Sequence, residues 1–324
     1  MEPLSAPLRV SIDLTQECNL RCAHCRCRTP EATSVVATAH ILGLLDELVE
    51  LRVFRISFSG GEPLLRPDAP EILEHAARRA PGRVSLSTNG TLLGADLLAR
   101  LKPWRDKFTI HVSVDGPVEL HDRFRGLGGA LGLTLSAMRA AVREGFRVGV
   151  TTTLTAVNYD AVREIAETIR TTGCETWTIV EVLPVGAAGP DLLLSAAHRM
   201  IALQELERLR ADMAECGILL KTRLPFADGR KVRCLGGITD CGVTASGDIV
   251  GCRLLPSLAE SNIAERSLRD VWGDPASFAE FRGSSVPSVC HGCDDSASCR
   301  GGCKAISGGT AQSPARDPRC VATD

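Results

Sequence analysis

No charge of one sign predominates in this chain. Its 324 residues carry 37 Lys and Arg against 39 Asp and Glu, a net charge of −2. That balance excludes a basic nucleic-acid binder and an acidic-tail protein. No apolar run reaches the roughly 18 residues that a membrane-spanning helix needs, so no membrane association is expected. Residues 1–10 lack the charged, apolar and cleavage regions of a signal peptide, which makes the cytoplasm the expected location. Aromatic residues are scarce, with one Tyr and three Trp, and no internal repeat is evident. Against these absences stand 14 cysteines. Cytosolic thiols are kept reduced, so a disulfide framework is not expected and the cysteines point to metal.

The cysteines fall in two zones. Cys18, Cys22, Cys25 and Cys27 crowd the start, Cys174 and Cys216 stand alone, and the other eight lie between 234 and 320. Between the zones, β-branched runs at 8–14, 54–60, 83–90, 108–116, 146–155 and 175–182 read as strands. Segments 39–51, 70–80, 95–101, 133–145, 159–173 and 198–217 carry apolar residues at helical spacing. Strand–helix alternation argues for parallel βα units. Six units are too few for a closed eight-stranded barrel, so the expected fold class is α/β, a partial (β/α)6 TIM-like barrel. Function then sits on the loops that follow the strands: residues 18–25, 60–63, 87–89, 113–115 and Thr153. Past 222 the pattern fails, and Gly, Pro, Ser and Cys dominate. Such a segment buries little core and needs metal or cross-links. A boundary is expected near 222–233, giving a barrel over 1–222 and a small cysteine-rich domain over 223–324.

Cys18, Cys22 and Cys25 lie in the first βα loop, close enough to converge on one metal centre. A closed zinc site wants four ligands, so either one position stays open or Cys27 or His24 fills it; a zinc knuckle is the alternative on spacing alone. The C-x3-C-x2-C spacing in that loop resembles the signature of the radical SAM enzymes. The resemblance implies a [4Fe–4S] cluster on Cys18, Cys22 and Cys25, with the fourth iron left for S-adenosylmethionine (SAM). Gly60-Gly61-Glu62-Pro63 follows the second strand, where the family places a GGEP element for the methionine amino group. Glycines let carbonyls approach an amine, and Glu offers charge. Ser87 and Asn89 on the third strand, and Ser113 and Asp115 on the fourth, match positions that similar enzymes use for the SAM ribose and carboxylate. Residues 121–126 resemble the family's HDxxRG stretch and make Arg125 a carboxylate partner.

Cys290-x2-Cys293-x5-Cys299-x3-Cys303, with Cys320 beyond and Cys234, Gly247 and Cys252 before, resembles the SPASM domain; a treble clef or zinc ribbon is the competing reading. The resemblance implies two auxiliary [4Fe–4S] clusters, for three in all. The first takes Cys234, Cys252 and Cys303, with Cys241 as fourth ligand or, if free, as hydrogen-atom donor to a substrate radical. The second takes Cys290, Cys293, Cys299 and Cys320. Cys27, Cys174 and Cys216 have no motif role. Similar sulfatase-maturing enzymes carry a basic Asp where this chain has Arg253, which argues against that activity.

The implied chemistry is cleavage of SAM to a 5′-deoxyadenosyl radical, which takes a hydrogen atom from a substrate C–H; the chemistry belongs to the cofactor. Dehydrogenation, epimerisation and cross-linking in natural-product tailoring stay open, making the enzyme an oxidoreductase or an epimerase. The substrate is an aminoglycoside or aminocyclitol sugar or a ribosomal peptide. Only 17 residues precede Cys18, so no fused leader-binding domain is expected, and a separate recognition protein would serve a peptide substrate. The expected electron donor is a flavodoxin or ferredoxin. A non-catalytic cysteine-rich zinc or Fe–S protein is the alternative.

Overall fold

The computed structural model describes residues 3–27, 34–224, 233–283, 286–307 and 315–320. Seven parallel strands form the barrel: β1 (Arg9–Asp13), β2 (Arg55–Ser59), β3 (Arg83–Thr88), β4 (Phe108–Ser113), β5 (Arg147–Leu154), β6 (Thr176–Glu181) and β7 (Leu219–Arg223). Around them lie α1 (Thr38–Glu50), α2 (Ala69–Arg79), α3 (Ala95–Leu101), α4 (Val118–Arg125), α5 (Ala130–Arg143), α6 (Val162–Ile169) and α7 (Ala196–Glu215). The cysteine-rich part adds β8 (Asp240–Val243), β9 (Asp248–Val250), β10 (Ala259–Asn262) and α8 (Leu268–Gly273).

The outward face of the sheet is apolar. Val10 and Ile12, Ile56 and Phe58, and Val148 and Val150 alternate along their strands and meet the helices. In α6, Val162, Ile165, Ala166 and Ile169 are all buried, an i, i+3, i+4, i+7 stripe. Each large apolar side chain so covered stabilises the layer by roughly 1.5–3 kcal/mol. The inward face is different. Ser11, Ser57, Thr109, His111, Thr151, Thr176 and Thr178 occupy it, half-buried, in place of the packed branched residues of a closed TIM barrel.

Strand order is β10-β9-β8-β1-β2-β3-β4-β5-β6-β7 in one sheet. The structure adds two features to the expected fold. A seventh parallel strand, β7, follows α7; its short LLKTR sequence carries charge on alternate residues and lacks an apolar run. The cysteine-rich part is also not built apart from the barrel: β8 pairs in parallel with β1, Val10 opposite Cys241. It buries core of its own, with Val243, Ile249, Leu268, Val271, Trp272, Phe278 and Phe281 in the main hydrophobic cluster. The expected boundary at 222–233 begins at the last residues of β7, and residues 225–232 within it lie outside the described residues. The strip HDRFR, read only as a motif, forms most of α4, ended by Gly126 at φ 71°.

Candidate active site and cysteine clusters

The loop after β1 is held from three sides. The amides of Gly61 and Glu62 donate to the carbonyls of Thr15 and Glu17, each at 2.8 Å. From α4, the Arg125 and Phe124 carbonyls accept from the amides of Arg21 (3.1 Å) and Ala23 (3.0 Å). From the loop after β6, the amide of Ala187 donates to the Cys25 carbonyl at 2.9 Å. The approach is backbone on backbone. Gly60 sits at φ +136°, and a Cβ there would lie 2.2 Å from the Thr15 carbonyl oxygen, so only glycine fits.

Cys18, Cys22 and Cys25 border one cavity of about 310 Å³ at the C-terminal ends of β1 to β6. Burial pushes the Cys18 thiol up, and the negative charges of Cys22, Glu62 and Cys25 add to it. Burial likewise raises Cys22, where Arg125 works in the opposite direction. Donors aim at the sulfurs: the Leu20 amide at Cys18 Sγ (3.4 Å), and Arg125 Nη1 at Cys22 Sγ (3.6 Å). Among the described residues Arg125 Nε and His24 Nδ1 are buried without a partner, while the His24 ring stacks on Phe124 at 4.6 Å. Among the described residues no three His, Cys, Asp or Glu side chains close on a single-ion point; the three thiols border a wider space. Mutually repelling thiolates, sulfur-directed donors and an adjacent guanidinium suit an iron–sulfur cluster, whose charge and hydrogen bonds the protein sets in this way.

Six residues expected around SAM line the cavity: Gly60, Gly61, Ser87, Asn89, Ser113 and Arg125. Three do not. Glu62, fully buried, spends its carboxylate on the Leu64 amide (3.1 Å), Thr88 Oγ1 (2.8 Å) and the Asn89 amide (2.8 Å). It fastens the GGEP turn to the end of β3 and is not among the residues that line the cavity. Pro63 is buried in the same turn. Asp115 is also fully buried; it pairs with Arg125 and accepts from the Thr153 amide at 2.8 Å. Burial alone would raise its carboxyl, but the Arg125 charge outweighs that and holds it down. Asp115 is therefore the anchor of Arg125. His121 fixes it further, taking the Asp115 amide on Nδ1 at 3.1 Å.

The sequence did not single out a second polar group at the cavity edge. Asp13, at the end of β1, receives Arg26 through two bonds (2.9 and 3.1 Å) and Arg253 through another, and both guanidiniums also reach Ser59 Oγ. Burial favours the neutral Asp13 acid, yet Arg253 and Arg26 together hold its pKa below the ordinary value. Glu181, on the cavity wall, is clasped by Arg199 at 2.7 Å. Cys27, left without a role, lines the same cavity and donates to the Gly60 carbonyl at 3.0 Å. Cys174 is buried, and Cys216 is exposed.

The C-terminal cysteines form two groups. Cys252 is raised chiefly by burial and also by the charges of Cys234 and Cys303; Cys303 in turn feels Cys234. Cys290 feels Cys320 and Cys293, and Cys299 feels Cys320 and Cys290. Cys303 thus crosses back to the first group. Asp317 braces the crossing, accepting from the Cys303 amide at 3.1 Å and from Arg319 at 2.8 and 3.0 Å. Arg319 also lies 3.9 Å from Glu181, so the cysteine-rich part touches the barrel at β6 as well as at β1. Cys241 does not join the first group. It sits 4% exposed in the hydrophobic core; after burial itself, the charges acting on it are those of Asp240, Arg282 and Glu47. The alternation of β8 explains this: its neighbour Gly242 faces inward under Arg253, so Cys241 faces outward. In the structure Cys241 therefore stands apart from Cys234, Cys252 and Cys303.

Family comparison agrees with this geometry. Residues 12–172 match the radical SAM superfamily, and residues 234–294 match the SPASM iron–sulfur cluster-binding domain. The chain is 28% identical to an AdoMet-dependent heme synthase of Methanosarcina barkeri, covering 93% of this chain and 92% of that one. It is 27% identical to the mycofactocin maturase MftC of Mycobacterium tuberculosis, over 98% and 84%, and 27% identical to a PqqA peptide cyclase of Granulibacter bethesdensis, over 94% and 84%. The fold matches Streptococcus suis SuiB bound to S-adenosylmethionine with a TM-score of 0.85 at 18% identity, over 99% of this chain and 78% of that one. No helix among the described residues is long and apolar enough to cross a membrane. With three cysteines on the first barrel loop, a cavity at the strand ends and a cysteine-rich extension of the same sheet, this chain belongs to the radical SAM superfamily and carries a C-terminal SPASM domain.

Proposed function

We propose that this radical SAM enzyme tailors a ribosomally made peptide by hydrogen-atom abstraction. One observation carries the reading: the alignment with a peptide cyclase and a mycofactocin maturase runs through both the barrel and the SPASM domain. When bound, the cluster and SAM supply a 5′-deoxyadenosyl radical, which removes hydrogen from an unactivated C–H.

The chain's own residues hold and screen that chemistry. Cys18, Cys22 and Cys25 would hold the first cluster; Cys234, Cys252 and Cys303 a second; Cys290, Cys293, Cys299 and Cys320 a third. The hydroxyls of Ser87, Ser113 and Thr153, the Asn89 amide and the Arg125 guanidinium offer SAM hydrogen bonds along the cavity wall. Val180, Val182, Leu183, Val185 and Leu254 supply apolar cover, which limits water at a reactive centre. Arg253 is a permanent cation engaged with Asp13 and is no base, in keeping with an activity other than sulfatase maturation. With Cys241 turned into the core, an oxidation that passes an electron to a SPASM cluster fits better than epimerisation through that thiol. A flavodoxin or ferredoxin would reduce the first cluster, and a separate recognition protein would present the peptide.

The resemblance to a heme synthase supports a second reading, oxidation of a tetrapyrrole. The test is anaerobic reconstitution followed by SAM, a reductant, and in parallel a panel of synthetic precursor-type peptides, an aminocyclitol sugar and a tetrapyrrole. The expected result is 5′-deoxyadenosine together with a mass change in a peptide. A mass change confined to the tetrapyrrole or the sugar would replace the peptide reading, and S-adenosylhomocysteine as sole nucleoside product would overturn radical initiation.

A further inference from the structure

We propose that the N-terminal floor of the barrel, at the far end from the cysteine loop, binds a multiply charged oxyanion of the phosphate class. The sheet register sets Arg9, Arg55 and Arg83 side by side on β1, β2 and β3. Four residues further along two of those strands, Ser59 and Ser87 line the cavity at the other end. Even spacing along a strand keeps the arginines on the same inward face. From the far wall come Lys221 and Arg223 of β7, in register with Thr178 and Val180, and Val180 too lines that cavity. Arg147 enters beside Thr109.

These cations face one another across the lumen. Arg55 feels Arg9, Arg223 and Arg83, although four strands separate β2 from β7 in the sheet. Lys221 feels Arg223, Arg55 and Arg147, with Glu175 the one opposing charge that acts on it. His111 stands among them over Gly149, where an added Cβ would lie 2.7 Å from Nδ1.

The charges do not balance. Asp240 takes Arg9 at 2.6 and 2.8 Å, and Glu175 takes Arg147 at 2.7 Å. Arg55, Arg83, Lys221 and Arg223 have no hydrogen bond or ion pair from their side chains among the described residues. Arg83, Lys221 and Arg223 are exposed and Arg55 is half-buried, so the cluster is open to a ligand from solvent; four like charges without a bonded partner still repel each other, and neutral residues there would relieve that cost. One carboxylate ligand would leave most of the charge unmet. A tetrahedral dianion meets it better, because guanidiniums bind its oxygens bidentately and the lumen supplies hydroxyl donors from Ser11, Ser57 and Thr109.

The test uses the reconstituted enzyme with inorganic phosphate against sodium chloride of equal ionic strength. Phosphate at ten times its Kd should raise the melting temperature by about 2–3 °C beyond chloride and broaden its phosphorus resonance. Arg83→Gln and Arg223→Gln should each weaken phosphate binding about tenfold while deoxyadenosine formation stays as in the parent. Without phosphate both variants should melt at or above the parent, since repulsion is relieved. Glycerol 3-phosphate in place of phosphate separates a monoester from the free ion, and binding of either supports the site. No shift beyond chloride, an equal shift in both variants, or binding of hexaglutamate but not phosphate would overturn the proposal.

Discussion

Asp115, expected from its motif position to contact SAM, has the surroundings of an anchor for Arg125. In the structure it is fully buried, paired with an Arg125 side chain only 8% exposed, and bonded to the Thr153 amide. Asp115→Ala strands a buried guanidinium and a buried N–H. Removing one partner of a buried ion pair costs about 3–5 kcal/mol. For a chain of this size each kcal/mol moves the melting temperature by about 2 °C, so calorimetry of the anaerobically prepared variant should show a fall of about 6–10 °C. Asp115→Asn keeps the acceptor for Thr153 and should lose less. The double variant Asp115→Ala/Arg125→Met removes the unpaired charge and should recover part of the loss, a coupling that a double-mutant cycle measures. SAM affinity, followed by equilibrium dialysis, should fall only as far as Arg125 is displaced. If Asp115→Ala melted within a degree of the parent yet lost SAM binding, the anchor role would be wrong and direct contact with the cofactor right.

Iron analysis should give about twelve irons per chain, of which about four are lost when Cys18, Cys22 and Cys25 are changed together to Ala. Cys241→Ala should keep the full iron count and an unchanged low-temperature paramagnetic resonance spectrum, and loss of a cluster would return Cys241 to the ligand set. Gly60→Ala should destabilise the cysteine loop, because its Cβ would meet the Thr15 carbonyl at 2.2 Å; faster iron loss to a chelator is the readout, and a parent-like rate would contradict the close approach. His111 is pushed down to about 4 by burial and by Arg55, Lys221 and Arg223. A depressed histidine favours the fold above its unfolded pKa near 6.5, and that contribution fades as pH falls from there toward 4. His111→Gln should therefore flatten the pH dependence of the melting temperature in that window, and an unaltered slope would count against the assignment.

Much of this enzyme was legible from residue order alone, for a physical reason. Cluster ligands within one loop must lie a few residues apart, so Cys18, Cys22 and Cys25 carry their geometry in their spacing, as do the dense cysteines from 290 to 303. The six strands announced by β-branched runs are those whose outward faces bury against helices, and periodicity records burial. Where burial and periodicity part, the sequence was silent: β7 alternates charge along its inward face, and β8 joins the sheet only because β1 offers a free edge. Which way a side chain faces was likewise a tertiary decision. Cys241 stands at a ligand-like spacing, but the pleat of β8 turns it outward and gives Gly242 the inward place. Glu62 and Asp115 occupy motif positions, yet burial commits their carboxylates to Thr88, Asn89 and Arg125. The pairing of Asp13 with Arg26 and Arg253, and the electrostatic influence of Arg223 on Arg55, relate residues that no local pattern links. Only the curl of the sheet brings them together.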